Sequence, residues 1–215
     1  MSGRNKIRVL LVDDHAVVRM GYRTLMETTG EIQVVAEAEN GEGAIRQFAE
    51  HQPQVVIMDL SLPGISGLEA IRRIVAKHGD AKILAFSMHE DMAFVEQALQ
   101  AGARGYITKS SAPTILVDAV KEIAEGNIYL DPDIAQQLAY HKTRGPSSPV
   151  ANLSTREFEI FCMLAEGLTA AEIAGRLALS TKTVANYTTQ LKHKLDVNSV
   201  AEIARLAIRH GLISA

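Results

Sequence analysis

Residues 55–64 read VVIMDLSLPG, and this run limits the possible fold more than any other stretch of the chain. Val55, Val56, Ile57 and Met58 are apolar without alternation. A strand made of them must be covered on both faces, as in a parallel sheet held between two layers of helices. The strand delivers a single carboxylate, Asp59, to its own end, and a Pro63-Gly64 turn follows. In open α/β sheets ligands gather outside the carboxyl ends of the strands, so Asp59 stands where chemistry is usually done.

Four more strand-like runs share the first part of the chain: residues 7–12 (IRVLLV), 32–38, 82–87 and 105–108. Helical spacing predicts helices over 15–28, 41–51, 67–77, 91–101 and 113–125. The first would turn Val17, Val18, Tyr22, Leu25 and Met26 to the core, and the fifth Ile115, Leu116, Ala119, Val120 and Ile123. Gly30 and Gly102 are placed as helix stops, and Pro113 near the start of the fifth helix presets its φ. Five strands alternating with five helices imply βαβ units in one parallel sheet with right-handed crossovers.

On such a sheet the strand ends share one rim. Here they carry Asp13 and Asp14, Asp59, Ser87, and Thr108 with Lys109. Three carboxylates that close cannot all stay ionised without compensation. A hard divalent cation, Mg²⁺, is the natural remedy, since it takes carboxylates, waters and phosphate oxygens as ligands. It would also relieve repulsion between Asp59 and an incoming phosphate, letting the carboxylate attack phosphorus, with Lys109 and Ser87 contacting the phosphoryl oxygens. The plainer reading makes Lys109 a structural salt bridge and Ser87 a strand cap; a full polar set at four strand ends favours a phosphorylation site. No histidines form a ligand pair four residues apart, though His15 and His89 lie near this rim.

The motifs LLVDDH, VIMDLSLPGISGLE, AFSMHED and QAGARGYITKS resemble the receiver domain of two-component response regulators. The resemblance implies a flavodoxin-like five-stranded sheet of order 2-1-3-4-5. It implies that Asp59 accepts a phosphoryl group from a sensor histidine kinase. Mg²⁺ would be held by Asp14, Asp59 and the backbone carbonyl of Ser61, with Asp13 acting through water. Lys109 would be the catalytic lysine. Ser87 and Tyr106 would be the switch pair, the hydroxyl moving to the phosphoryl group while the ring turns inward. One departure is visible: many receivers follow the lysine with a cis proline, and here Ser110 follows Lys109.

Residues 127–151 change character and form a linker, with a short helix expected from Pro132 to Tyr140 behind Asp131 as its cap and a GPSSP tether at the end. The apolar side of that helix, Ile134 and Leu138, fits a core extension or a domain contact. Residues 1–126 would thus be one domain and 152–215 another. From Leu153 the text is helical. Ser154 with Glu157, Thr169 with Glu172 and Ser199 with Glu202 read as capping boxes, and Ser180 starts a further helix without the acid. The expected helices are 155–166, 170–177, 181–195 and 200–210, with Gly167 and Gly211 closing the first and last. Three residues, Ala178 to Ser180, join the middle pair, which is the shape of a helix-turn-helix.

The formal charge of −3 divides into −4 over residues 1–127 (13 Lys+Arg, 17 Asp+Glu) and +1 over 128–215 (9 against 8), so charge alone does not announce nucleic acid. Placement says more. The helix over 181–195 holds no acid; its outward face carries Lys182, Ala185, Asn186, Thr189 and His193, with Lys192 and Lys194 near its end. Small and amide side chains at the centre suit base edges, and cations at the ends suit phosphates. Residues 153–213 also resemble a LuxR-type DNA-binding domain, through LSTREFEIFCMLAEGLTAAEIAGRLALSTKTVANYTTQLKHKL. The resemblance implies that Lys182, Thr183, Tyr187 and Lys192 mainly touch phosphates of double-stranded DNA, while Ala185, Asn186 and Thr189 read bases. Tyr187-Thr188 departs from the commoner His-Arg pair. The last helix would form a homodimer contact when the protein is phosphorylated or bound to DNA. Together the two resemblances place the chain in the NarL/FixJ class: an α/β receiver followed by a small all-α four-helix domain.

A DNA-binding transcriptional regulator activated at Asp59 is the leading expectation, with catalysis limited to its own phosphotransfer and dephosphorylation. A constitutive regulator using the receiver only to dimerise is a second. A hydrolase with an aspartyl-phosphate intermediate is a third, disfavoured because Ser61 stands where such enzymes place a second aspartate. The apolar run of residues 9–12 is too short for a signal-peptide core, and no stretch approaches the ~18 apolar residues of a spanning helix. The lone Cys162 excludes an internal disulfide and suits a reducing compartment. It reads as a buried helix residue. A cytoplasmic protein without a membrane partner is expected.

Overall fold

The computed structural model describes residues 6–143, 149–210 and 212–213. Six strands and ten helices follow in the order β1 Ile7–Val12, α1 Ala16–Thr28, β2 Ile32–Ala38, α2 Gly41–His51, β3 Val55–Asp59, α3 Gly67–Lys77, β4 Ile83–Ser87, α4 Met92–Ala101, β5 Gly105–Thr108 and α5 Ala112–Glu125. Then come β6 Tyr129–Leu130, α6 Pro132–Thr143, a 3₁₀ turn Pro149–Asn152, α7 Thr155–Ala165, α8 Ala170–Arg176, α9 Thr181–Lys194 and α10 Val200–Arg209. The strands form one parallel sheet of order β2-β1-β3-β4-β5-β6. The expected 2-1-3-4-5 order is present, with a sixth strand added at its edge. Every residue of β3 and β4 is buried, as their unbroken apolar runs require.

The added strand comes from the linker. Gly126 closes α5 in the left-handed region (φ 99°), and the amides of Tyr129 and Asp131 then bond the carbonyls of Arg104, just before β5, and of Tyr106 on β5, at 3.1 and 3.0 Å. Two residues are too few to show a strand pattern, so periodicity predicts only five strands. Gly105 makes room for it, since a Cβ there would press on the Tyr129 carbonyl. The linker helix is α6: the Asp131 carboxylate accepts from the Asp133 amide at 3.1 Å, as a cap does. Ile134 and Leu138 are buried, and α6 packs on α4. Residues 145–148 of the GPSSP tether lie outside the described residues, as does Gly211.

Two expectations need correction. Val17 is 82% exposed, so the inner stripe of α1 begins at Val18 rather than at Val17. The capping boxes at Ser154/Glu157 and Thr169/Glu172 are complete, but the third is half made. Ser199 accepts from the Glu202 amide, whereas the Glu202 carboxylate reaches one residue further, to the Asn198 amide at 2.8 Å.

Within α3, one buried acid is paired with two half-exposed arginines. Glu69, its side chain 5% exposed, accepts from Arg72 and Arg73 at 2.7 Å each. Burial opposes its charge, but the two guanidiniums outweigh that and hold its pKa at about 2, below the ordinary 4.5. A depressed folded-state pKa contributes stability that is present above the unfolded value and lost as pH falls through the folded one. Glu69→Gln is therefore expected to lower the urea midpoint near neutrality, and the gap from wild type should narrow as pH drops from 4.5 toward 2. Urea melts across that range check the sign.

Candidate functional site

Parallel register sets the rim. Val12 lies beside Met58, Asp59 beside Phe86, and Ser87 beside Thr108, so the ends of β1, β3, β4 and β5 reach the same level. There the structure brings together Asp13, Asp59, Ser87 and Lys109, residues up to 96 positions apart. Lys109 Nζ bridges Asp13 Oδ2 at 2.6 Å and Asp59 Oδ2 at 2.7 Å. The other oxygen of each acid accepts a backbone amide: His15 N to Asp13 at 2.8 Å, and Ser61 N to Asp59 at 3.0 Å. Both carboxylates are held in one orientation, with Asp59 only 2% exposed.

The charge balance is unfinished. Asp13, Asp14 and Asp59 bring three negative charges against one ammonium. Burial raises the Asp59 pKa above the usual carboxylate value; Lys109 and the Ser61 amide pull it back, and Asp13 pushes it up again. For Lys109, burial disfavours the charged form, but its bonds to Asp13 and Asp59 win and raise its pKa. Lys109 is thus firmly cationic, while the acids share too little positive charge.

Asp14 and His15 extend the cluster toward solvent. His15 Nδ1 lies 2.7 Å from Asp14 Oδ1 and 3.4 Å from Asp13 Oδ1. Ligand atoms of Asp13, Asp14 and His15 all fall within 4.8 Å of one another, so this cluster can coordinate a divalent cation. His15 is not among the donors expected from the sequence. Nor is a role evident there for Gly67, whose missing side chain lets α3 start against the Asp59 carbonyl; a Cβ would strike that oxygen and the Leu60 backbone. The SG pair at 66–67, a cap followed by glycine, was the available signal.

Ser87 and Tyr106 are both fully buried. They hold the same residue from two sides: Ser87 Oγ accepts from the His89 amide at 3.1 Å, and the Tyr106 hydroxyl donates to the His89 carbonyl at 2.7 Å. The Tyr106 ring is already inward, and burial drives its pKa far up, so it stays a donor. No described peptide bond is cis, the one after Lys109 included. Cys162 is buried, which raises its pKa and keeps it a thiol, the inert residue expected.

In the C-terminal helices, α8 and α9 make the tight turn through Ala178, which sits at φ 51°. Leu179 N closes it on the Ala174 carbonyl at 2.9 Å. Ser180 caps α9 by accepting from the Thr183 amide at 3.0 Å. Lys182, Ala185, Asn186 and Thr189 are exposed along one side; Thr183, Tyr187 and Lys192 are half-buried, Tyr187 resting on the core. The Thr189 hydroxyl turns back to the Ala185 carbonyl at 3.1 Å. Lys194 differs from its neighbours: it pairs with Glu157 at 2.8 Å, 37 residues away, so it serves the fold of its own helices.

These two constructions, an acidic rim with a lysine and an exposed acid-free helix behind a tight turn, match two known families. Residues 9–121 match the response regulator receiver domain, and residues 151–207 match the luxR family of bacterial regulatory proteins. The chain belongs to the NarL/FixJ class of two-component response regulators. It is 42% identical over 211 residues to response regulator UvrY of Escherichia coli K12, covering 97% of both chains. Response regulator GacA of Pseudomonas viridiflava is 40% identical over 211 residues, covering 97% of this chain and 99% of that one. Among solved structures, RcsB of Salmonella enterica serovar Typhimurium, bound to promoter rprA in the presence of phosphomimetic BeF3⁻, is 26% identical with a TM-score of 0.72. That match covers 94% of this chain and 98% of RcsB.

The response regulator is a DNA-binding transcriptional regulator of the receiver and helix-turn-helix type. Receivers of this family act only in their own phosphotransfer and dephosphorylation, which removes the hydrolase reading. No helix among the described residues is long and apolar enough to cross a membrane.

Proposed function

We propose that Asp59 is the phosphoacceptor and that its phosphorylation by a sensor histidine kinase governs binding of α9 to double-stranded DNA in the cytoplasm. The observation that carries this reading is the shared lysine: Nζ lies 2.6 and 2.7 Å from two buried carboxylates, with a third beside them. An ammonium so held is ready to pair with a phosphoryl oxygen, and it keeps the Asp59 carboxylate fixed for in-line attack on phosphorus. Ser87 would donate to a second oxygen. Residues 1–126 form the receiver in this reading, 127–151 the linker and 152–215 the DNA-binding domain. The last helix, with Ile208 exposed, supports a homodimer on paired half-sites.

The donor set fits Mg²⁺: hard carboxylate oxygens carrying excess negative charge, open to solvent on the Asp14 side. Asp13, Asp14, Asp59 and the Ser61 carbonyl would hold it. When bound it supplies the positive charge that lets an anionic phosphodonor approach Asp59. Ligand that binds only the folded state stabilises it by about 2.7 kcal/mol at 100 times its Kd. Thermal melts should therefore shift upward with Mg²⁺ for wild type and much less for Asp13→Asn.

The direct test is mass. With a small-molecule phosphodonor and Mg²⁺, the intact protein should gain one phosphoryl group, mapped to the peptide holding Asp59 and absent from Asp59→Asn. A wild-type chain that takes up no phosphoryl group from any donor overturns the reading.

A further inference from the structure

The loop between β4 and α4 touches the acceptor site at one end and the DNA-binding domain at the other. His89 is its pivot. Its backbone is gripped by Ser87 and Tyr106, and its Nε2 lies 3.4 Å from the Ser61 hydroxyl, two residues past Asp59. Its imidazole stacks flat on Phe94 of α4, centroids 3.8 Å apart and 4° from parallel. Phe94 in turn meets Phe158 of α7 edge to face, at 5.0 Å and 83°. Three rings thus run without a gap from the rim to the core of the DNA-binding domain.

Two polar contacts hold the same interface. The Gln97 side chain, buried on α4, donates to the Leu153 carbonyl at 2.8 Å. The Ser66 hydroxyl, which caps α3, donates to the buried carboxylate of Glu159 on α7, itself paired with Arg156 at 2.8 Å. A cleft of about 530 Å³ opens beside these contacts, with Ser61 and His89 on one wall and Glu159 and Cys162 on the other. The exposed residues of α9 lie outside this interface, so docking leaves the DNA-reading face uncovered.

We infer that the His89–Phe94–Phe158 stack is the coupling element of this regulator: rearrangement of the acceptor pocket moves His89, unseats Phe94 from Phe158, and frees the DNA-binding domain. The inference rests on the proposed phosphorylation of Asp59 and specifies how it is relayed. Ser87 cannot turn toward a phosphoryl group without carrying away the acceptor of the His89 amide. His89 then follows, taking its ring off Phe94, or loses that bond and with it one of the two holds that seat its ring on Phe94. Control acts on domain docking, and hence on how two domains can pair, since the reading face of α9 is open while docked. His89 is a positioning residue here. Coupling is reciprocal, so undocking must also change the acceptor site.

The chain holds no tryptophan, so Phe94→Trp places a single fluorophore in the stack. Iodide quenching of this full-length variant is expected to be weak without donor and to rise several-fold with phosphodonor and Mg²⁺. With His89→Ala added, quenching should be high from the start and insensitive to donor. Glu159→Gln, which loosens the interface away from the acceptor pocket, should raise quenching while keeping a donor-dependent increase; that difference separates a relay from simple adhesion. In the chain without the tryptophan, His89→Ala should raise donor-free DNA binding, which covers the case in which Phe94→Trp itself disturbs the interface. If His89→Ala gains a phosphoryl group normally yet keeps wild-type quenching, DNA binding and donor response, the inference fails and Asp59 control stands. If wild type gains no phosphoryl group, both fall.

Discussion

Asp59→Asn should bind target DNA with the same affinity whether or not a phosphodonor is present, while wild type tightens its binding. The asparagine keeps the size of the side chain and its place beside Lys109 and Ser61, but its amide is no nucleophile toward phosphorus. Moving a two-state equilibrium from 1:99 to 99:1 takes about 5.5 kcal/mol, or about 10⁴-fold, which bounds the response that this substitution can erase. Titrating fluorescent DNA with both proteins, with and without donor and Mg²⁺, reads it directly. Equal donor responses would take phosphorylation of Asp59 out of the mechanism. Lys109→Met is a useful companion. It leaves two buried acids without their shared ammonium, so it should impair phosphotransfer and weaken the fold of the rim together.

On α9, two kinds of substitution should fail differently. Asn186→Ala removes an exposed amide from the centre of the helix, and loss of a side chain reading a base edge costs about 1–3 kcal/mol at that base pair. Preference at one position of the site should relax while others keep their order. Lys182→Ala and Lys192→Ala should instead weaken binding to all sequences alike and flatten the dependence of log K on log salt by about 1 each. Lys194→Ala should leave that slope nearly unchanged, because Lys194 is already paired with Glu157. Its loss should appear in the stability of the helical domain. Selection from random duplexes followed by salt titrations separates these outcomes. A salt slope that responds to Lys194 but to neither Lys182 nor Lys192 would move the DNA-facing surface elsewhere.

The acidic rim was legible in the residues because a parallel sheet leaves few choices. Once β3 and β4 are recognised as unbroken apolar runs and β1 and β5 as their shorter or mixed neighbours, the strand ends must share an edge, and Asp13, Asp59, Ser87 and Lys109 meet there by register. The helices of the C-terminal part were legible for a different reason. Their caps are local, so Ser154, Thr169, Ser180 and Ser199 announce their own helix starts. The Glu202 carboxylate escaped the pattern because it takes the Asn198 amide, one residue before the cap, at 2.8 Å.

The residues alone determined where strands and helices begin, which acids gather with which lysine, and which helix shows an acid-free face, since each follows from periodicity, local capping or strand order. Tertiary structure decided the rest: that Tyr129 and Leu130 add a sixth strand, that Lys194 is tied to Glu157, and that His89, Phe94 and Phe158 stack across two domains. Such contacts join surfaces that no periodicity relates. An apolar ring has the same pattern whether it faces its own core or a neighbour's, and only the packing of one domain on the other distinguishes the two.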